Sequence, residues 1–458
     1  MIEVSNNLKR LAQLTYSQGH KLYVVGGYVR NMLLGYDIND IDIAGSMLVD
    51  DMQVLCESAG YKCDVINKRL GTLLIKKDSE QYEYTTFRKE VYDESGKHSP
   101  DEVYFVTDPK EDAGRRDFTV NAMFYDILDN QLLDYFDGQK DIHKRVIKTV
   151  VDPEIVFGDD GLRILRMVRF TCELGFKIDS KTYKTAKKCV HKVQDISRER
   201  ILNEIKISIN GGLKYHLKNN THTNIIKYYN DLNLWQYILG PTFKNFHIKT
   251  YGRMYRAYVE SDGNCRYIAF MCLVLYNFIK SRTSDKNLAF SIAQVLGNTG
   301  LKDSNKSIKD IYDAYHFAQK ILYDKYNDFI TNENCLEYER LPFEILNYLS
   351  LINPSRINDL KIQILELKKA KIPFSELELK ADSTELIERA RVNPKFLSKI
   401  KSTLFEMCVK EMIVNDKYIL IEQAKFLNER LEKAFMMQKK TQDRPNIKDV
   451  DIITPDQE

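Results

Sequence analysis

Two carboxylates and two glycines, close together near the start of the chain, form its most chemically demanding spacing. Asp40 and Asp42 flank Ile41 in the alternating run Ile38, Asp40, Ile41, Asp42, Ile43, which reads as a strand of period two. Side chains two apart on a strand share a face. Carboxylates so placed repel each other unless a cation lies between them, and hard oxygen ligands of this kind suit Mg²⁺, which takes one or two carboxylates together with substrate phosphates. A solvated edge strand or turn would show the same bare D-x-D. Upstream, Gly26 and Gly27 end the apolar run Leu22 to Val25. Lacking Cβ, they let a ligand approach the backbone closely. A helix is expected to follow, with Arg30 one turn along, and a helix start with a nearby guanidinium suits a triphosphate. A Gly-Gly turn between strand and helix is also a common structural device.

Two later clusters offer related chemistry. In GRRDFTVNAMFYD, Arg115, Arg116 and Asp117 precede a strand expected from Phe118 to Asp126. A guanidinium binds phosphate in a fork and a carboxylate accepts from a ribose hydroxyl, although a surface ion-pair cluster would read the same. The segment Phe157 to Phe176 reads as one helix, with apolar Leu162, Leu165, Val168 and Phe170, and with Arg163, Arg166 and Arg169 on other faces. Asp160 and Arg163 stand one turn apart, so both can reach one planar target; an i,i+3 salt bridge is the plainer alternative.

These residues need a scaffold. Helix periodicity covers Leu48 to Ala59, and strands are expected in LGTLLIKK and from Tyr82 to Arg88, with a polar loop between Arg88 and Val103. Short strands with varied connections predict a small antiparallel or mixed sheet backed by helices, not a long doubly wound one. In Ser197 to Ile207, Ser197 is an expected N-cap and Arg200 with Glu204 an expected i,i+4 pair. From about Leu213 to Ile362 the pattern is helical and rich in Tyr, Lys and Asn, and Trp235 reads as a core anchor. Residues after about Gln438 are polar and expected to be disordered.

Composition narrows the class. A chain of 458 residues with 43% apolar and 29% charged residues is that of an ordinary soluble globular protein of two to four domains. Net charge is only +3, yet between Lys181 and Arg256 fifteen Lys or Arg stand against four Asp or Glu. That surplus would attract a polyanion, or simply solvate a helical surface. Eight cysteines include no C-x-x-C and no zinc spacing with His, which points to reduced, buried thiols. No His-Asp dipeptide is present, which argues against a His-Asp metal phosphohydrolase. MIEVSNNLKRLAQL lacks a signal-peptide core and Tyr267 to Ile279, the longest apolar stretch, is too short to span a bilayer, so a cytoplasmic protein with no membrane contact is expected.

The stretch GGYVRNMLLGYDINDID resembles the signature GGxVRDxxLGxxxxDxD of the nucleotidyltransferase head in CCA-adding enzymes and bacterial poly(A) polymerases. Gly26, Gly27, Val29, Arg30, Leu34, Gly35, Asp40 and Asp42 match it, while Asn31 stands where Asp is usual. The block RRDFTxNAM matches at Arg115, Arg116, Asp117 and Asn121, with Gly114 in place of a larger residue. The block E-D-x-x-R matches as Asp159, Asp160 and Arg163, with Asp for Glu and with Gly161 where Pro or Ala is common.

The resemblance implies an α+β chain: a nucleotidyltransferase head with a small mixed or antiparallel sheet (1–145), followed by an all-helical neck (146–210), body (211–362) and tail (363–438), with a disordered end (439–458). It implies template-independent addition of CCA to the 3′ end of tRNA from CTP and ATP by Mg²⁺-dependent nucleotidyl transfer. Asp40 and Asp42 would be the catalytic metal ligands. Gly26, Gly27, Arg30, Arg115, Arg116, Asp117, Asn121, Asp159, Asp160, Arg163 and Arg166 would bind nucleotide. Within it, Asp160 and Arg163 would read the donor/acceptor edge shared by cytosine and adenine, and Glu83 would be a possible further metal ligand. The tail would grip tRNA. A poly(A) polymerase or a C-only or A-only enzyme uses the same head, and an RNA-binding protein with a vestigial head is the alternative from another class.

Overall fold

A computed structural model describes residues 4–36, 41–92, 102–211, 215, 221–281, 305–323 and 330–442. Asp40, the middle of the polar stretch after Arg88 and most of the end after Gln438 lie outside them. The chain forms two compact units, 1–315 and 316–458.

The first unit begins with helix α1, Asn6–Ser17, and then builds a seven-stranded sheet. Strand β1, Leu22–Val25, is buried along its whole length. The chain leaves it at Gly26, whose φ of +69° and ψ of −131° belong to backbone that only glycine adopts readily. Helix α2, Gly27–Leu33, follows, and then strand β2, Ile41–Gly45, which pairs antiparallel with β1. Helix α3 is Val49–Ser58, and strands β3 (Lys62–Asn67), β4 (Thr72–Lys77) and β5 (Glu80–Thr86) form an antiparallel meander. With β8 (Phe124–Asp126) and β9 (Gln131–Leu133), the order is β3-β4-β5-β2-β1-β8-β9. The sheet is mixed because β2 and β5 run parallel.

Aromatic packing fixes one face of this sheet. The Tyr23 ring lies 5.7 Å from that of Phe87, and Phe87 lies 5.8 Å from Phe124. These three join Val25, Ala44 and Ala113 in one buried cluster. Each such side chain contributes ~1.5–3 kcal/mol when withdrawn from water.

Two features depart from the sequence pattern. Strand β3 gave no signal because it is an edge strand, exposed along almost its whole length and held by backbone pairing to β4. The expected strand from Tyr82 to Arg88 ends at Thr86, and Phe87 turns into the core. Strand β6, Arg88–Val91, then pairs antiparallel with β7, Glu102–Phe105, so both ends of the polar stretch belong to a two-stranded ribbon.

Beyond the sheet the first unit is mainly helical. After the short helices α4, Pro109–Gly114, and α5, Gly138–Lys144, the expected helix Phe157–Phe176 is two helices: α6, Pro153–Asp159, and α7, Leu162–Leu174. Asp160 between them is extended (φ −146°, ψ 103°), and its Oδ1 accepts from the N–H of Leu162 at 3.0 Å. An Asp side chain competes for such local bonds and Gly is a poor helix former, which together explain the break. Gly161 is sterically required there, since a Cβ would stand 2.5 Å from the carbonyl of Lys192. A short parallel ribbon, Val146–Ile147 with Lys177–Ile178, brackets α6 and α7. Helix α8 is Ser180–Cys189, and helix α9, Arg198–Asn210, packs on α7 and starts at Ser197, whose hydroxyl accepts from the N–H of Arg200. Trp235 is buried, and its Nε1 donates to Asn230 Oδ1 at 2.7 Å, as befits a core anchor.

The second unit is helical in its described residues. Its core gathers Leu386, Ile400, Leu404, Cys408 and Leu420, and the helix Ser383–Glu388 opens on a capping box between Asp382 and Glu385. All eight cysteines are free thiols. No helix among the described residues is long and apolar enough to cross a membrane.

Candidate active site

A cleft of about 430 Å³ lies where the sheet meets α7 and α9. It is lined by Gly26, Gly27, Arg30, Asp42, Arg115, Arg116, Asp117, Asn121, Asp160, Leu162, Arg163, Arg166, Phe170 and Arg200. Residues separated by up to 174 positions, from Gly26 to Arg200, therefore converge on one surface. Of the residues singled out from sequence, Asp159 and Glu83 stand outside this lining and Asp40 lies outside the described residues. Leu162, Phe170 and Arg200 are additions.

The glycine pair provides the close approach. A Cβ on Gly26 would stand 3.2 Å from Arg116 Nη1 and 3.9 Å from Asp42 Oδ2, so a side chain there would obstruct the space between a guanidinium and a carboxylate. Helix α2 has seven residues. The fixed positive charge beside the glycines is therefore chiefly the guanidinium of Arg30, which is buried.

Arg30 donates from Nε at 2.9 Å and from Nη2 at 2.8 Å to Asn31 Oδ1, from Nη1 to Asn121 Oδ1 at 2.5 Å, and from Nη2 to Tyr215 Oη at 2.8 Å. Burial draws its pKa down, and Tyr215 acts in the opposite sense. Asn121 continues the network, donating from Nδ2 to Asp117 Oδ1 at 3.1 Å. Asp117 Oδ1 also accepts from the N–H of Phe118 at 2.8 Å, and Oδ2 accepts from Arg166 Nε at 2.8 Å and Nη2 at 2.7 Å. Burial works to raise the pKa of Asp117, but Arg166 and Asn121 outweigh it and hold the carboxyl at about 2. With roughly four lone-pair directions already used, this carboxylate orients Asn121 and Arg166, and the ribose contact expected of it would require an exchange of partners.

Arg115 and Arg116 are held from beneath by Asp112, which the sequence pattern did not single out. Its Oδ1 accepts from Arg115 Nε at 2.8 Å, and Oδ2 accepts from Arg116 Nη2 at 3.1 Å. Although burial raises the pKa of Asp112, Arg115 and then Arg116 pull it below the ordinary carboxylate value. Its signal was its position: three and four residues before two arginines on a short helix, Pro109–Gly114, a salt-bridge spacing.

At the other end of the cleft Asp160 and Arg163 occur together, with a geometry set by the helix break. Asp160 Oδ2 accepts from Arg200 Nη2 at 2.6 Å, and Arg163 donates to the carbonyls of Arg115 at 2.8 Å and Val156 at 3.2 Å. Arg163 is thus braced by backbone oxygens, which carry no full charge. Asp159 sits 3.9 Å from Arg163, and burial raises its pKa against the pull of that arginine. Glu204, expected to pair with Arg200, accepts from Arg169 at 2.6 Å. Phe170 lies beneath three guanidinium groups, those of Arg169 at 4.1 Å, Arg30 at 5.2 Å and Arg166 at 5.2 Å from its centroid.

The carboxylate side is simpler. Asp42 is exposed on β2 and lies in register with Glu83 on the parallel strand β5, so both side chains stand on one face of the sheet, on backbones about 5 Å apart across the strands. Hard oxygen donors so arranged fit a divalent cation. Among the described residues no group of three or more His, Cys, Asp or Glu could hold a metal ion. Six arginines against three aspartates line the cleft, a balance suited to a polyanion.

Residues 22–148 match the Poly A polymerase head domain family. The chain is 40% identical over 210 residues to the CCA-adding enzyme of Staphylococcus epidermidis, covering 46% of this chain. It spans about half the length of that relative (51%) and 58% of the one from Staphylococcus haemolyticus. The match to the CCA-adding enzyme of Ligilactobacillus salivarius is 31% identical over 416 residues, 90% of this chain and 94% of the relative. In fold, the chain is similar to the Bacillus stearothermophilus CCA-adding enzyme in complex with CTP, with a TM-score of 0.69, 22% identity, and coverage of 93% and 98% of the two chains. Near end-to-end identity at this level shows descent as well as shape, and the chain belongs to the CCA-adding enzyme family.

Proposed function

We propose that this chain adds CCA to the 3′ end of tRNA from CTP and ATP without a nucleic-acid template. The observation that carries the reading is the single cleft in which Gly26, Gly27, Arg30, Asp42, Asp160 and Arg163 meet. One end offers carboxylate and phosphate-binding groups; the other offers a carboxylate beside a guanidinium.

Nucleotidyltransferases of this family use a divalent metal, and we assign Mg²⁺, held by Asp42 with Asp40 and assisted by Glu83. When bound, such an ion neutralises triphosphate charge and lowers the pKa of a coordinated hydroxyl. The chain's own residues do the rest. Gly26 and Gly27 let the triphosphate approach the backbone, Arg30 and Arg116 face its charge, and Asn121, Asp117 and Arg166 hold that surface rigid. Preorganised charge of this kind costs no reorganisation during the reaction.

Asp160 accepts from the exocyclic amine of cytosine or adenine while Arg163 donates to the adjacent ring acceptor. Uracil and guanine present a carbonyl where the amine would be, leaving acceptor against acceptor, which discriminates by ~1–3 kcal/mol. Residues 1–145 serve as the catalytic head, 146–210 as the base-reading neck, 211–362 as the body and 363–438 as a tRNA-binding tail. The protein acts in the cytoplasm, in keeping with its eight free thiols.

The test is incorporation of each single NTP, then CTP with ATP, into tRNA transcripts ending before CCA, after C and after CC, with Mg²⁺. Two C additions and then one A, with growth stopping there, are expected. An unlimited A tail would reassign the chain as a poly(A) polymerase, and no incorporation on any substrate would leave it an RNA-binding protein.

A further inference from the structure

Arg30 differs from Arg115, Arg116, Arg166 and Arg200 in what holds it. Arg115 and Arg116 bond to Asp112, Arg166 to Asp117 and Arg200 to Asp160, and Arg163 has Asp159 at 3.9 Å. Among the described residues Arg30 donates to neutral oxygens, those of Asn31, Asn121 and Tyr215. Asn31 occupies the place where the family motif carries Asp, so here the neighbouring oxygen orients the guanidinium without cancelling its charge.

Tyr215 completes that arrangement from a distant part of the chain, beyond the end of α9. Its side chain is buried, its ring stands edge-on to Tyr36 at 5.1 Å, and its hydroxyl accepts from Arg30 Nη2 at 2.8 Å while donating to Asn31 Oδ1 at 3.4 Å. Arg30, Asn31 and Tyr215 thus form a closed ring of hydrogen bonds. The Tyr36 contact keeps the ring in place, and the hydroxyl fixes the guanidinium.

We propose that Tyr215 is a positioning residue for the triphosphate: its hydroxyl locks Arg30 in the cleft with a neutral partner, leaving the guanidinium charge for the nucleotide's phosphates. The assignment rests on reading the cleft as a nucleoside triphosphate site. Because Arg30 faces phosphate and not base, Tyr215 affects CTP and ATP alike.

The experiment uses the full chain, with Tyr215→Phe retaining the ring and Arg30→Lys as the second arm of a double-mutant cycle. Direct calorimetric binding of tripolyphosphate reads the phosphate site without base or turnover, and KM and kcat are measured for CTP and ATP on matched tRNA transcripts. In Tyr215→Phe, the tripolyphosphate Kd and both KM values should rise by about tenfold, equivalent to ~1.4 kcal/mol, with a smaller fall in kcat. In the Arg30→Lys background the same change should add little. Unchanged Kd and KM with a lowered kcat, or full additivity with Arg30→Lys, would mean a merely structural tyrosine and overturn the assignment. If wild-type protein binds tripolyphosphate and incorporates CTP while Tyr215→Phe matches it, this assignment alone fails. Absence of both activities in wild type would overturn the functional reading and this inference together.

Discussion

Arg200 Nη2 lies 2.6 Å from Asp160 Oδ2, joining the start of α9 to the break between α6 and α7 across 40 residues of chain. The other oxygen of Asp160 is taken by the N–H of Leu162. A carboxylate pinned at both oxygens presents its remaining lone pairs in fixed directions, which is what reading a planar base edge requires.

Arg200→Ala should therefore loosen base choice without abolishing transfer. A hydrogen bond to a charged group contributes ~1.5–3 kcal/mol, so the preference for CTP and ATP over UTP and GTP should fall about tenfold. Misincorporation measured with each NTP alone checks this; unchanged preference would mean that Leu162 suffices to orient Asp160.

Removing the other half of the reader should have a larger effect. On the proposed base-reading role, Arg163→Ala takes away the ring donor and should lower discrimination by ~1–3 kcal/mol, or roughly fivefold to 150-fold. The readout is the ratio of kcat/KM for CTP to that for UTP. A ratio equal to wild type would count against the base-reading role.

Asp42→Ala should cost at least about a hundredfold in incorporation, the scale reached even by losing partners that only support a metal's ligands. Asp42 is exposed, so the melting temperature should stay within a few degrees. Glu83→Gln, its register partner, should lower apparent Mg²⁺ affinity more than kcat at saturating Mg²⁺. Titration of activity against Mg²⁺ separates the two, and near-normal incorporation by Asp42→Ala would remove it from the chemistry.

The Asp117–Arg166 pair makes a pH prediction. The carboxyl pKa is lowered from an ordinary 3.8 to about 2 in the fold. A depressed folded pKa means that the unfolded chain binds the proton first as pH falls. The stabilisation, roughly 2 kcal/mol, is thus complete well above pH 4 and is lost as pH drops from about 4 towards 2. Asp117→Asn, which leaves Arg166 without its counter-charge, should be markedly less stable than wild type at pH 7. Denaturant unfolding of the two proteins between pH 6 and 3 should show that gap narrowing at the acid end, and a constant gap would contradict the linkage.

Much of this protein was legible from residue order. Strand β1, the glycine turn, helix α2 and the carboxylate strand follow from an apolar run, two residues without Cβ and period-two alternation, all of them local properties. The motif residues Gly26, Arg30, Arg116 and Asn121 do line one cleft; local spacing had suggested a chemistry for the first three, and the family resemblance supplied Asn121.

What only the tertiary structure decided is how those groups are held and charged. Asp112, Arg200 and Tyr215 meet partners set by a helix break and chain crossings of up to 185 residues, and sheet register places Glu83 beside Asp42. Sequence spacing suggested that Asp160 and Arg163 share a helix face. Instead an extended Asp160 and a glycine pressed against a neighbouring carbonyl divide that helix, because side-chain capping and close packing outweigh periodicity there. Periodicity records which residues are buried together along one element; it carries no information about which distant side chain supplies the second hydrogen bond.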